Sequence, residues 1–164
     1  MDWENQRLSR IIDDWIDEDI GQGDLTKSAI TKKNVKACWI AKEDGIFCGK
    51  EIIKMIFYKV DSTIKINFHL NDGEKFINNQ KILELNGSAK SLLACERISL
   101  NIAMHLSGIA TYTKKLVEKL SRTKIKLADT RKTTPGLRVL EKYAFKCGGG
   151  INHRMGLYDA AMIK

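Results

Sequence analysis

Apolar residues recur at helical spacing over the first twenty positions: Trp3, Leu8, Ile11, Ile12, Trp15 and Ile16, with acids between them. The pattern predicts an amphipathic helix over 3–20, stopped by Gly21-Gln22-Gly23-Asp24. Val35 to Ala41 reads as a strand, Glu43-Asp44-Gly45 as a turn, and Ile46 to Cys48 as a second strand returning beside the first. Ile52, Ile53, Ile56 and Phe57 predict a short helix over 50–59. Between Thr63 and Leu70, Ile64, Ile66, Phe68 and Leu70 alternate with Lys65, Asn67 and His69, the signature of a strand with one wet face. Asn71-Asp72-Gly73 is a turn, and Lys81 to Leu85 alternates again. This stretch is therefore α+β with a small antiparallel sheet.

From Ser88 the period changes. Residues 89–121 read as one long helix, with Ser107-Gly108 a candidate bend. Ile125 to Ala128 is a short apolar strand. Thr134 can cap a further helix with Pro135 at its first position. Leu137, Leu140, Ala144 and Cys147 form its apolar stripe, and Gly148-Gly149-Gly150 ends it. Ala160 to Ile163 is expected as the next strand. Strand, helix, strand implies a parallel pair with a right-handed crossover. Such units build α/β barrels, whose active sites follow the strand ends. Lys164 comes directly after a strand of buried type with no helix to cover it, so the sequence reads as cut.

Composition narrows the class. The 164 residues are 43% hydrophobic and 29% charged with one proline, which excludes a fibrous or disordered chain. There is no apolar run of membrane-spanning length. Met1-Asp2-Trp3-Glu4-Asn5 has neither a basic nor an apolar signal region, and the expected compartment is the cytoplasm. The formal charge of +8 is unevenly spread: residues 114–164 hold 13 Lys+Arg against 4 Asp+Glu, a net of +9. That excess suits either nucleic acid or a strongly anionic small ligand. Cys38, Cys48, Cys95 and Cys147 have no metal-ligand spacing and are expected as buried, reduced thiols.

The densest chemistry is Asp129-Thr130-Arg131-Lys132-Thr133-Thr134-Pro135-Gly136, two cations and three hydroxyls between a strand and a helix N-terminus. Arg131 can grip a carboxylate or phosphate in bidentate fashion and Lys132 adds a point charge. Residues 148–154, Gly148-Gly149-Gly150-Ile151-Asn152-His153-Arg154, combine a permissive backbone with two further donors. Arg97 sits in the long helix after Glu96, and Lys164 at a strand end. His105 is expected in a core or interface, and Trp3 and Trp15 as packing residues. Arg97, Arg131, Lys132, His153, Arg154 and Lys164 have no matching cluster of acids in the sequence, which suits a di- or polyanionic small molecule. No Ser–His–Asp arrangement or carboxylate pair supports a hydrolase. No aromatic platform accompanies the cations, which weighs against nucleic acid.

These motifs resemble the quinolinate phosphoribosyltransferase family. The resemblance rests on the stretch from Asp129 to Ala144, on Gly148 to Asp159 and on the strand to Lys164. Gly23-Asp24-Leu25-Thr26, Glu96-Arg97 with Leu100-Asn101, and Leu106 to Thr111 extend it upstream. It implies an N-terminal α/β sandwich over 1–108 and the first part of an open α/β barrel over 109–164. It also implies a homodimer or higher assembly, and transfer of phosphoribose from phosphoribosyl pyrophosphate to quinolinate with Mg²⁺. The products are nicotinate mononucleotide, CO₂ and pyrophosphate, a step of NAD synthesis. By the same resemblance Thr130, Arg131, Lys132, His153, Arg154 and Lys164 line the substrate pocket, with Lys132 and Lys164 catalytic and Arg97 reaching in from the partner subunit. The family continues well past Lys164, and its acidic residues for Mg²⁺ and ribose lie in that part, so no metal ligand is expected here. Asn79 stands where the family usually has glycine. Two alternatives stay open: a non-catalytic remnant that dimerises or binds anions, and a paralogue of the molybdenum-uptake type.

Overall fold

A computed structural model describes residues 3, 5–25, 30 and 33–163. Helix α1 (Gln6–Ile20) starts later than its apolar pattern, because Asn5 Oδ1 accepts the Arg7 N–H at 2.9 Å and caps it there. It buries Leu8 and Ile12. Strand β1 (Asn34–Ile40) pairs antiparallel with β5 (Lys81–Ser88), which pairs antiparallel with β3 (Lys65–Phe68). The central strand β5 sets the register: Ala37 and Ile66 both face Leu85, and Trp39 and Phe68 both face Leu83. Leu83 and Leu85 are buried while Lys81 and Asn86 are exposed, so one sheet face is covered.

Helices α2 (Lys50–Val60) and α3 (Ala89–Lys119) lie against each other, and α3 also meets β5. Ile52, Ile53, Ile56 and Phe57 of α2 share one core with Leu92, Cys95, Ile102 and Leu106 of α3. Each such side chain, fully buried, contributes about 1.5–3 kcal/mol. This is a two-layer α/β arrangement, as the alternating and helical patterns require.

Residues 45–48 depart from the expected hairpin. Strand β2 (Gly45–Ile46) pairs with β4 (Lys75–Phe76), not with β1. Hydroxyls of α3 satisfy the backbone beyond it: Ile46 N–H donates to Thr111 Oγ1 at 2.8 Å, and Cys48 N–H to Ser107 Oγ at 3.0 Å. Ser107 is thus engaged outward, and α3 runs unbroken through Gly108 rather than ending or restarting there. Asn79 has φ 64°, the only non-glycine among the described residues in that region, closing a turn where Gln80 N–H reaches the Ile77 carbonyl.

Cys48 and Cys95 are buried as expected, but Cys147 is only partly covered and Cys38 is exposed on β1. Burial pushes the Cys95 thiol up to about 12. His105 is not in the core: its ring is exposed on α3, with Nε2 3.0 Å from Glu141 Oε1. Trp3 packs edge-on against Tyr143, ring centroids 5.1 Å apart.

The β-α-β unit is present but shorter and differently placed. Its parallel pairing is a single bridge, Ala128 to Ile151, with Ile151 N–H donating to the Leu127 carbonyl and Asp129 N–H to the Ile151 carbonyl. The return strand is therefore at Ile151, not Ala160–Ile163, where Ile163 is exposed and no ladder forms among the described residues. Helix α4 (Arg138–Cys147) starts three residues beyond Pro135. Gly136 at φ 85° cannot continue a right-handed helix, so 134–137 form a turn closed by Leu137 N–H on the Thr134 carbonyl.

Candidate functional site

The triple glycine is compact, and its close approach is to the protein itself. A Cβ on Gly148 would meet the Ala110 carbonyl oxygen at 2.4 Å, and one on Gly150 would meet Phe145 Cε1 at 2.1 Å. Gly149 adopts φ 92°. The chain thus leaves α4 pressed onto α3 and enters Ile151 beside Ala128. A second joint fixes α4 to the first layer. Tyr143 OH donates to Asp72 Oδ2 at 2.7 Å, while Asp72 Oδ1 accepts the Gly49 and Lys50 N–H groups at the start of α2. Burial and that carboxylate push the Tyr143 hydroxyl up, so it stays protonated as a donor.

With those joints set, two loops stand side by side after the paired strands: 129–134 and 152–155. Asp129 joins them. Its carboxylate accepts the His153 N–H at 2.8 Å and pairs with the buried Lys142 ammonium. Arg138 adds a clamp: Nη2 donates to the Arg131 carbonyl at 3.4 Å, Nε to Thr133 Oγ1 at 3.1 Å and Nη1 to the Met155 carbonyl at 3.2 Å. Within the first loop Lys132 N–H donates to Thr130 Oγ1 at 3.1 Å. Thr134 N–H donates to Glu141 Oε2 at 3.2 Å. Burial pushes the Glu141 carboxyl up, but the Thr134 and His105 hydrogen bonds outweigh it and hold it below the ordinary carboxylate range.

Thr130, Arg131, Lys132, His153 and Arg154, the residues singled out from sequence, are brought together on these two loops. The side chains of Arg131, Lys132 and His153 make no hydrogen bond or ion pair among the described residues, and Arg154 Nη1 donates to the Ala160 carbonyl at 2.8 Å. Arg97 is not part of this group. It lies exposed on α3, eight residues before His105, about 12 Å along the axis, and no hydrogen bond or ion pair links it to either loop. Lys164 lies outside the described residues. The sequence reading also missed the scaffold. Asp129 is an acid at the centre of the cations, and Arg138 and Lys142 stand one helical turn apart on the face that meets the loops. That spacing was visible in the sequence, but the burial of a lysine was not.

A strand-end site with free cations on paired loops, mounted on an α/β sandwich, has the charge to take a compact, multiply charged anion. Comparison with known proteins gives the family. Residues 24–107 match the profile of the quinolinate phosphoribosyl transferase N-terminal domain, and 109–164 that of the C-terminal domain. The chain belongs to the quinolinate phosphoribosyl transferase family. It is 47% identical over 159 residues to a probable carboxylating nicotinate-nucleotide pyrophosphorylase of Bacillus subtilis, covering 96% of this chain and 55% of that protein. It is 41% identical over 152 residues to a mitochondrial decarboxylating quinolinate phosphoribosyltransferase of Nicotiana tabacum, covering 91% and 43%. The nicotinate-nucleotide pyrophosphorylase of Francisella tularensis superposes with a TM-score of 0.92 at 41% identity, covering 94% of this chain and 56% of that one. The chain spans about half the length of the relatives it matches.

Proposed function

We propose that the protein transfers phosphoribose from phosphoribosyl pyrophosphate to quinolinate, with loss of CO₂, forming nicotinate mononucleotide and pyrophosphate for NAD synthesis. The observation that carries this is the pair of loops whose cations Arg131, Lys132 and His153 are left unpaired around a carboxylate, Asp129, that is itself saturated. Quinolinate is a dianion and its co-substrate carries phosphates, so charge and number match. Arg131, by its planar fork, holds a carboxylate; Lys132, His153 and Arg154 add charge, and Thr130 a hydroxyl. When CO₂ leaves the pyridine ring, its electron pair stays on the ring carbon until a proton replaces it. Fixed cations beside that carbon stabilise the developing charge. Lys132 and Lys164 are the groups assigned this role.

Mg²⁺ belongs to this reading as the partner of phosphoribosyl pyrophosphate. The described residues contain no group of three His, Cys, Asp or Glu side chains fit to hold a metal, and Asp129 is spent on Lys142 and the His153 N–H. A homodimer in which Arg97 serves the partner subunit's site fits its exposure and its place on α3 eight residues before His105, which meets Glu141 of α4. Among the described residues no helix is long and apolar enough to cross a membrane.

The test is Arg131→Ala in the full-length protein, with quinolinate binding by calorimetry and turnover with both substrates and Mg²⁺. Removing one buried charge partner of a dianion should cost about 2–5 kcal/mol of binding. Wild-type affinity and turnover in the variant would remove Arg131 from the site, and absence of quinolinate binding by the wild-type protein would refute the substrate assignment.

A further inference from the structure

Lys142 is the one lysine classed as buried among the described residues, with 1% of its side chain exposed. The reading above gives it no role. Its neighbours Leu140 and Ala144 face the core, where an apolar residue would do. Instead its ammonium pairs with Asp129, whose side chain is 6% exposed, and donates to the Arg154 carbonyl at 3.3 Å. Asp129 also accepts the His153 N–H at 2.8 Å. Asn152, with its amide nitrogen turned inward, donates to Asp129 Oδ2 at 3.0 Å and to the Lys142 carbonyl at 2.9 Å. Residues 152, 153 and 154 are thus each tied to the same ion pair, which also anchors the start of the 129–134 loop.

A buried ion pair gains little stability over a well-packed apolar pair, because desolvation offsets the attraction. Its effect here is on geometry. Arg131, Lys132 and Arg154 carry like charges on two short loops and repel one another when the site is empty. Asp129 lies in the first loop and is bonded to the second, so an unoccupied Asp129 could draw one of them inward. With Lys142 occupying it, Asp129 is not open to the arginines, and the loops stay at fixed spacing.

We propose that Lys142 is a positioning residue: by occupying Asp129 and tethering the Arg154 carbonyl, it holds the 129–132 and 152–154 loops in register and leaves their cations for the dianionic substrate. The identity of that dianion rests on the phosphoribosyltransferase reading; the locking of the loops does not.

The experiment compares wild-type full-length protein with Lys142→Met, which keeps length and removes charge, and with the milder, exposed-site Asn152→Ala. Two readouts are taken at a temperature where circular dichroism shows each variant folded. The first is amide hydrogen exchange. Residues 151–155 should exchange about tenfold faster or more in Lys142→Met while β5 and the core turns of α3 keep their protection. The second is kinetics. Misplacing ligand-gripping groups by about 1 Å costs on the order of a hundredfold, so KM for quinolinate should rise more than kcat falls. Asn152→Ala should move both readouts in the same direction by less. Wild-type exchange and KM in folded Lys142→Met would overturn the proposal. So would a uniform loss of protection with unchanged KM, which marks a role in stability alone. If Lys142→Met does not fold, Asn152→Ala decides by the same criteria. If the local exchange appears but the wild-type protein does not use quinolinate, the locking stands and the substrate assignment falls.

Discussion

Three glycines in one region should respond to the same added methyl group in three different ways. At Gly148 an alanine Cβ would sit 2.4 Å from the Ala110 carbonyl oxygen and 2.6 Å from Thr113 Cβ, well inside the 3.0 Å that real Cβ atoms respect. Neither neighbour is the free end of a flexible side chain; both belong to the body of α3. Relief requires α4 and α3 to separate, and overpacking of this kind costs about 1–3 kcal/mol or more. At Gly149 the nearest atom is Val117 Cγ1 at 3.6 Å, so space is adequate, but φ is 92° and alanine there costs about 1–2 kcal/mol in backbone strain. Gly108 has nothing within 4 Å and lies inside α3, where alanine should gain about 1 kcal/mol of helix propensity. For a chain of this size each kcal/mol moves Tm by about 2–4 °C. Thermal and urea unfolding should therefore rank Gly148→Ala lowest, then Gly149→Ala, then the unaltered protein, with Gly108→Ala highest. A Tm for Gly148→Ala equal to that of the unaltered protein would mean that the α3–α4 contact yields easily. The claim that the triple glycine exists to press α4 onto α3 would then be wrong.

Two further outcomes are expected. Because the Glu141 carboxyl is lowered in the folded state, it contributes stability that is present above the ordinary carboxylate range and is lost as pH falls through its folded value. Glu141→Gln should flatten the fall in Tm between about pH 5 and pH 3, and identical curves for the two proteins would contradict the assigned hydrogen bonds. Mixing Arg97→Ala with Arg131→Ala subunits should restore about a quarter of wild-type turnover, since half of random dimers carry one complete site. No recovery in verified mixed dimers would show that Arg97 serves its own subunit or only the fold.

Periodicity alone located α1, β1, α2, β3, β5 and α3, because each buries one face and repeats its apolar residues at the spacing of its own geometry. The candidate substrate-binding residues were also legible, since Arg131, Lys132, His153 and Arg154 fall within two short segments around one helix. Partner choice was not legible. Gly45–Ile46 has the same local pattern whether it pairs with β1 or with Lys75–Phe76, and hydroxyls of α3 sixty residues away decide it. The return strand was misplaced because Ala160 to Ile163 is as apolar as Ile151 is isolated, and only the Gly148 contact with α3 brings Ile151 beside Ala128. Asp129 opens the 129–136 motif and Lys142 stands in the helix after it, but nothing local marks either as buried. Their burial depends on α4 crossing beneath two loops, a packing outcome that no local pattern encodes.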